Sequence, residues 1–432
     1  MKKFKSNNKI TASKRVRGSV AALCILLAGV QFMATAQAAS NILEAITYGQ
    51  ASGQLRYRYE NVDQDAIDKD ANASTLRTQL GYTTDNYLGF VTFVQLENVT
   101  VIGNELYNNT ENGSTQYPVV ADPDGTEINQ AWLSYETPYS TTLKYGRQGF
   151  NLDNQRFVGT VNFRQNEQTF DAFSLISTTL PDTSIFYAHI NNVNRIFGSD
   201  HPNPLLADTR TRTDLINVAY KGLSFGAITG YAYLFDLEKV PLTSHKDVGL
   251  RFDGNRKLQS NVKLLYTAEY TNQSDYADGA DTVDADYGLA SFGVDFKGFQ
   301  VRANYELLTG DGVYAFQTPF ATLHAFNGWA DRFLITPRDG LQDIFISVSK
   351  TFHGVNLLGI YHDYSSDNLD YDFGTEWNFS AAKKVNKYFT VKAEYATYSA
   401  DRNTNNVTRN TGPRAIQTRD ADIAWLTADF QF

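Results

Sequence analysis

The chain has 432 residues, of which 42% are hydrophobic and 13% aromatic, and it holds a single cysteine, Cys24. One cysteine excludes a disulfide framework, and after residue 40 nothing approaches the roughly 18 continuous apolar residues of a membrane-spanning helix. Lys and Arg number 38 against 47 Asp and Glu, a balance that argues against nucleic acid as a partner.

Residues 1–38 read as a secretory signal peptide. Lys2, Lys3, Lys5, Lys9, Lys14, Arg15 and Arg17 form a basic start, Val20 to Val30 is apolar, and Ala36-Gln37-Ala38 fits a small-residue cleavage site. Eleven apolar residues fall short of the roughly 20 that an anchor needs. Removing this segment takes Cys24 and seven basic residues, leaving 31 Lys and Arg against 47 acids, a net charge of −16.

Residues 39–432 read as one domain built of strands. In "GQLRYRYEN" the residues Leu55, Tyr57 and Tyr59 share one face and Gln54, Arg56, Arg58 and Glu60 the other, because successive side chains of a strand point to opposite sides. The pattern returns in "NVKLLYTAEY", "FQVRANYELL" and "FTVKAEY". Eighteen such segments begin near residues 50, 74, 87, 127, 141, 168, 183, 212, 223, 246, 259, 284, 299, 341, 354, 371, 388 and 420. The last, "ADIAWLTADFQF", sets Ala424, Leu426, Ala428, Phe430 and Phe432 on one face and ends on an aromatic. That ending has the form of a signal read by the barrel assembly machinery.

Connections near 85, 139, 180, 221, 256, 297, 353 and 384 are short, whereas those near 67, 110, 158, 202, 241, 278, 324, 367 and 408 are mostly long. All ten prolines fall in these connections, as they must if the strands form a hydrogen-bonded ladder. Hydrocarbon offers no partner for backbone polar groups, so a sheet that crosses a membrane has to close. The expected fold is therefore all-β: a transmembrane antiparallel β-barrel of about 18 strands in a bacterial outer membrane, with long extracellular loops and short periplasmic turns. The same spacing admits sixteen strands.

No metal-ligand set emerges from the six histidines, which show no i, i+4 pair, and no cofactor is expected. No nucleophile motif accompanies His189, so no enzyme is expected either. The Asp-rich stretches "DQDAIDKD" and "DGADTVDAD" lack the Gly and closing Glu of a calcium loop and read as solvated, with cations bridging to lipopolysaccharide as the alternative.

On this register Arg56, Arg58, Arg77, Lys144, Arg251, Lys263, Arg302 and Lys392 face inward, as do Glu60, Glu97, Asp247, Glu269, Glu306, Asp343, Glu376 and Glu394. A charged lining marks a wet lumen. The segment "KYGRQGFNLDNQRFVGTVNFRQNEQTFDAF" brings Arg147, Arg156 and Arg164 together with several amides around one long connection. Guanidinium groups pair with carboxylates and amides suit sugar hydroxyls, so this cluster is the candidate solute site. Strict alternation, however, sets Arg147 with Leu143 and Tyr145, on the lipid side unless a bulge intervenes.

The connection from Leu308 to Leu341, about 33 residues long, carries Tyr314, Phe316, Phe320, Phe326, Trp329 and Phe333. It is too long for a turn and too aromatic for a solvated tail. The expectation is that it folds into the barrel mouth and narrows the pore. Phe326 and Trp329 would form the constriction, with Trp329 a platform for sugar rings, and Asp331 and Arg332 would anchor it.

"EINQAWLSYETPYSTTLKYGRQGFNLDNQRFVG", "QTFDAFSL" and "LHAFNGWADRFLITPRDGLQDIFISVSK" resemble the alginate-export family of outer membranes, most specifically in Asn-Gly-Trp-Ala-Asp. The resemblance implies an eighteen-stranded barrel, an Arg/Lys-rich pore for an anionic polysaccharide and gating loops, and it carries over Arg147 through its Gly-Arg-Gln setting. Two departures stand out: bases do not dominate this lumen, and no short turn is long enough for a periplasmic plug. The expected function is a channel for passive passage of hydrophilic solutes, with anionic poly- or oligosaccharides as the finer reading. A general diffusion porin is the nearest alternative. A secreted soluble carbohydrate-binding β-protein is a third, but it would need neither lipid-facing aromatics nor a terminal Phe. Expected partners are outer-membrane lipid and lipopolysaccharide, a hydrophilic solute or saccharide, and the assembly machinery.

Overall fold

A computed structural model describes residues 39–432; the expected signal peptide lies outside the described residues. Eighteen antiparallel strands follow one another. They are β1 (Gln50–Gln64), β2 (Ala71–Thr83), β3 (Phe90–Val101), β4 (Gly125–Thr137), β5 (Thr141–Gln148), β6 (Thr169–Ser177), β7 (Thr183–Asn194), β8 (Asp208–Leu223) and β9 (Gly226–Phe235). The second half comprises β10 (His245–Gln259), β11 (Val262–Asp275), β12 (Asp284–Phe296), β13 (Phe299–Leu308), β14 (Leu341–Phe352), β15 (Val355–Ser365), β16 (Asp372–Lys384), β17 (Phe389–Ala400) and β18 (Ala421–Gln431).

Each strand pairs with its sequence neighbours, and β18 returns to β1 with Leu55 opposite Phe430 and Tyr59 opposite Leu426. Closure leaves no edge with unpaired backbone groups, which is what allows a sheet to sit in hydrocarbon. The count is eighteen, and every strand starts within four residues of its expected place, the largest gap being β8, expected near 212 and beginning at Asp208.

The polarity of the two faces is reversed relative to a soluble protein. In β1 the outward Leu55 and Tyr57 are 43% and 38% exposed, while the inward Arg56 and Arg58 are 6% and 3% exposed. Aromatics ring both ends of the outer face, as they do where lipid headgroups begin. Phe296, Phe299, Phe352, Phe430 and Phe432 are exposed near the short turns. Toward the long loops Tyr270, Tyr305 and Tyr395 each donate a hydroxyl hydrogen bond to the next strand, to Asp286, Gln342 and Asp422 at 2.7, 3.0 and 2.7 Å.

The C-terminus is locked into the first strand. Gly53 N–H donates to the Phe432 carbonyl at 3.1 Å and Phe432 N–H to the Gly53 carbonyl at 3.0 Å. A Cβ at Gly53 would stand 2.3 Å from the Phe432 ring, so the terminal aromatic requires glycine there. The hydrophobic core lies inside the barrel. Phe157, Val158, Phe316 and Phe320, all from loops, pack there with the strand residues Tyr231, Tyr233 and Tyr287.

Candidate functional site

The β5–β6 connection, residues 149–168, turns into the lumen through positive φ angles at Asp153, Gln155 and Val161 (48°, 69° and 52°). It spans well-separated parts of the ring: Asp153 accepts from Asn217 on β8 at 2.7 Å, and Arg164 pairs with Glu60 on β1 at 3.1 Å. Along β1 and β2, Arg56 donates to Gln165 Oε1 at 3.0 Å and to the Asn162 carbonyl at 2.7 Å, while Arg77 pairs with Glu167 at 3.2 Å. A third loop, 102–124, joins through Asp122, which accepts from Gln165 N–H at 2.8 Å. Burial disfavours the charge on Arg164, but Glu60, Asp122 and Asp331 outweigh it and hold the guanidinium above the ordinary arginine range.

The β13–β14 connection, residues 309–340, packs against this first loop. Gly159 N–H donates to the Phe320 carbonyl at 2.9 Å, and Thr322 Oγ1 donates to Gln155 at 2.8 Å. Its Asn-Gly-Trp-Ala-Asp segment is pressed onto the wall of β13 to β16. Asn327 Nδ2 donates to Glu306 at 2.7 Å and Asp343 at 3.2 Å, while its side-chain Oδ1 accepts from Arg156 at 3.1 Å. Ala330 N–H donates to Glu376 at 2.8 Å. Asn327, Gly328 and Asp331 all take positive φ (55°, 85° and 58°), a conformation that costs least for Asn, Asp and Gly.

Asp331 closes the contact between the two loops, 3.2 Å from Arg164 and 2.9 Å from His324. Burial works against its charge, yet His324, Arg164 and Arg332 hold the carboxyl below the usual aspartate range. Arg332 donates to the Ala330 carbonyl at 2.7 Å and to Gln64 on β1 at 2.9 Å. Phe163 stacks on His324 at 3.4 Å between centroids, meets Trp425 edge-on, and lies under the Arg58 guanidinium at 4.2 Å.

Below the loops, on the periplasmic side, the wall of β16 to β18 and β1 encloses a cleft of about 290 Å³. Arg56, Arg58, Lys384, Lys387 and Lys392 line it, with Asp429 the only acid, and Phe163 and Tyr388 supply aromatic surface. Lys392 is held by Glu394 at 2.7 Å. Arg58 Nη1 lies 4.0 Å from Asp122 and Arg56 is bonded to the first loop, so Lys384 and Lys387 are the lining cations that remain without an ion pair among the described residues.

The three arginines expected to cluster are not together. Arg147 follows strict alternation onto the outer face beside Tyr145 and pairs with Asp171 at 2.8 Å, so it does not line the pore. Arg156 is held at β13, apart from Arg164 at β1, 3.0 Å from Glu306 and 4.9 Å over the Phe326 ring. Both buried arginines are clamped by carboxylates, because a guanidinium folded into a loop core has to be paired. Arg302 faces inward on β13, apart from the cleft, with Nε buried and unpartnered. Trp329 is half-buried, its backbone N–H donating to Asn378 Oδ1 at 3.3 Å. Lys384 and Lys387 were not singled out from the sequence. Carrying the alternation of β16 through Glu376 and Asn378 to its last residue would have found Lys384; Lys387 lies in a turn, where alternation says nothing.

A family model described as "Alginate export" matches residues 47–307. No curated protein sequence matches the chain. Among solved structures, the fold is similar to Acinetobacter baumannii OccAB2, with 15% identity and a TM-score of 0.70 over 90% of this chain and 99% of that one. OccAB3 of the same organism gives 14% and 0.69 over 90% and 100%, and Pseudomonas aeruginosa OpdQ gives 14% and 0.64 over 89% and 99%.

Proposed function

The chain belongs to the alginate-export family of outer-membrane barrels, and from that premise we propose that it is a channel passing anionic hydrophilic saccharides through a lumen narrowed by its own loops. The observation that carries this reading is the basic cleft. Lys384 and Lys387 line it without an ion pair among the described residues, Arg58 and Lys392 stand beside them with Asp122 and Glu394 as their carboxylates, and Tyr388 gives an exposed aromatic surface. Carboxylates of a solute suit the two lysines and sugar rings the aromatic surface.

The solute would reach this cleft beside the loop face that exposes Asn162 and Ala325 and half-exposes Phe326 and Trp329. In this reading Arg56, Arg77, Arg156 and Arg164 hold loops in place and only shape the passage. Their pairing with carboxylates and amides is also what supports the second reading, a general diffusion porin.

Planar-bilayer recording separates the two. Replacing Lys384, Lys387 and Lys392 by Gln is expected to shift the reversal potential toward cations and to weaken block by uronate oligomers, while block by neutral oligosaccharides stays as it was. If the triple variant matches the parent in both, the porin reading stands instead.

A further inference from the structure

The lipid-facing wall carries a groove that solute passage does not use. Across β14 to β17 the outward positions include Val348, Leu357, Phe379 and Tyr395, all exposed and apolar. Between them the register sets Gly359 beside Phe379, Leu357 beside Ala381, and Ala381 beside Ala393. These three small residues floor a groove of about 520 Å³ walled by the four larger ones. Its surface is continuous with the apolar belt, so what fills it comes from the bilayer. Left empty, its walls would forfeit dispersion contacts.

The periplasmic edge of the groove is cationic. Lys350 and Lys383 leave the ends of β14 and β16, and Lys297 lies in the neighbouring β12–β13 turn. Lys350 Nζ donates to the Lys297 carbonyl at 2.8 Å, which holds its ammonium at that turn, and Lys297 Nζ lies over the Phe296 ring at 5.4 Å. Among the described residues no ion pair takes up any of the three. Asp295, the adjacent carboxylate, is occupied by Gly298 N–H at 2.8 Å and by Gln300 at 3.0 Å. Unpaired ammonium groups at headgroup depth attract anionic lipid.

We propose that this groove seats an acyl chain of an anionic phospholipid of the periplasmic leaflet, whose phosphate rests on Lys350, Lys383 and Lys297. The proposal goes beyond the channel reading and depends only on the barrel's place in a membrane.

The test is native mass spectrometry of the full protein in mild detergent, after incubation with phosphatidylglycerol or phosphatidylcholine. The parent is expected to retain phosphatidylglycerol in preference. Gly359→Leu fills the groove; a Cβ there meets the Phe379 ring at 3.7 Å, ordinary contact without strain. It is expected to lower phosphatidylglycerol retention several-fold, as lost contact with even one or two methylenes would. Lys350→Gln with Lys383→Gln, both outward at strand ends, is expected to abolish the preference over phosphatidylcholine while leaving heat-modifiable migration intact. Equal retention of the two lipids by the parent, or undiminished retention in a folded Gly359→Leu barrel, overturns the proposal. So does an oligomer of the parent that Gly359→Leu dissociates, since the groove would then seat a second copy.

Discussion

At Gly328 the backbone turns with φ +85° against the barrel wall, and a Cβ built there would lie 2.3 Å from both Glu376 Oε2 and Tyr364 Oη. Gly328→Ala therefore meets strain and collision at once, a cost of about 1–3 kcal/mol for the backbone alone. The expected result is a folded barrel whose loop no longer docks, seen as raised and noisier single-channel conductance. Arg164 and Arg147 make a second contrast. Arg164 is buried with Glu60 and Asp331, so Arg164→Gln strands two carboxylates and is expected to cost roughly 3–5 kcal/mol. Arg147 shares a half-exposed pair with Asp171, and Arg147→Gln is expected to cost no more than about 1 kcal/mol. Denaturant unfolding in detergent measures both, and equal costs would show that the clamp role of Arg164 is wrong.

The two inward loops behave as one element, because their backbones bond each other at Gly159 and Phe320 and their side chains at Gln155 and Thr322. The inward course of residues 309–340 was legible from its aromatics: Phe316, Phe320 and Phe333 are buried, and a loop that apolar has to find a wall. Which wall it finds was not legible. The carboxylates that receive it, Glu306, Asp343 and Glu376, come from three strands spread over some seventy residues of sequence, and the register of β13 to β16, with Glu306 opposite Asp343, sets them near one another. Deleting residues 315–336 is expected to raise conductance several-fold, and an unchanged conductance in a barrel that still shows heat-modifiable migration would count against the constriction. The partner loop explains the failed cluster of arginines. A polar segment can hold Arg156 and Arg164 close in sequence and still carry them to separate strands, β13 and β1, when it crosses a lumen.

The whole molecule is a sheet whose greasy side is turned outward. Depth along the strand then decides what a charge costs on that side. Ile346 stands near the middle of β14 and is 47% exposed to the lipid face, so Ile346→Arg is expected to destabilise by roughly 2–4 kcal/mol. Leu264 lies two residues from the periplasmic end of β11, where Leu264→Arg is expected to cost only about 0–1 kcal/mol because the side chain reaches the interface. Ser347, the inward neighbour of Ile346, is expected to accept Arg with little loss. Refolding into lipid vesicles followed by denaturant titration ranks the three, and a costlier Ser347 than Ile346 would mean that the faces are reversed.

Period-two alternation and confinement of all ten prolines to connections were enough to give the closed barrel and the face of its inward strand charges, because a membrane-spanning sheet has one register that keeps charge out of lipid, but the same spacing admitted sixteen strands as well as eighteen. At Arg147 two signals disagreed: the family motif set it among the pore residues, alternation set it outside, and it lies outside beside Asp171. What only the tertiary structure decided is which inward charges are free. Arg56, Arg77, Arg156 and Arg164 were legible as inward or loop cations, but their partners Gln165, Glu167, Glu306 and Glu60 are set by how loops fill the lumen. The basic cleft arises because β16, β17, β18 and β1 become neighbours only when the last strand closes on the first. Strand polarity is a local property of the chain, whereas neutralisation of a charge depends on contacts between segments far apart in sequence.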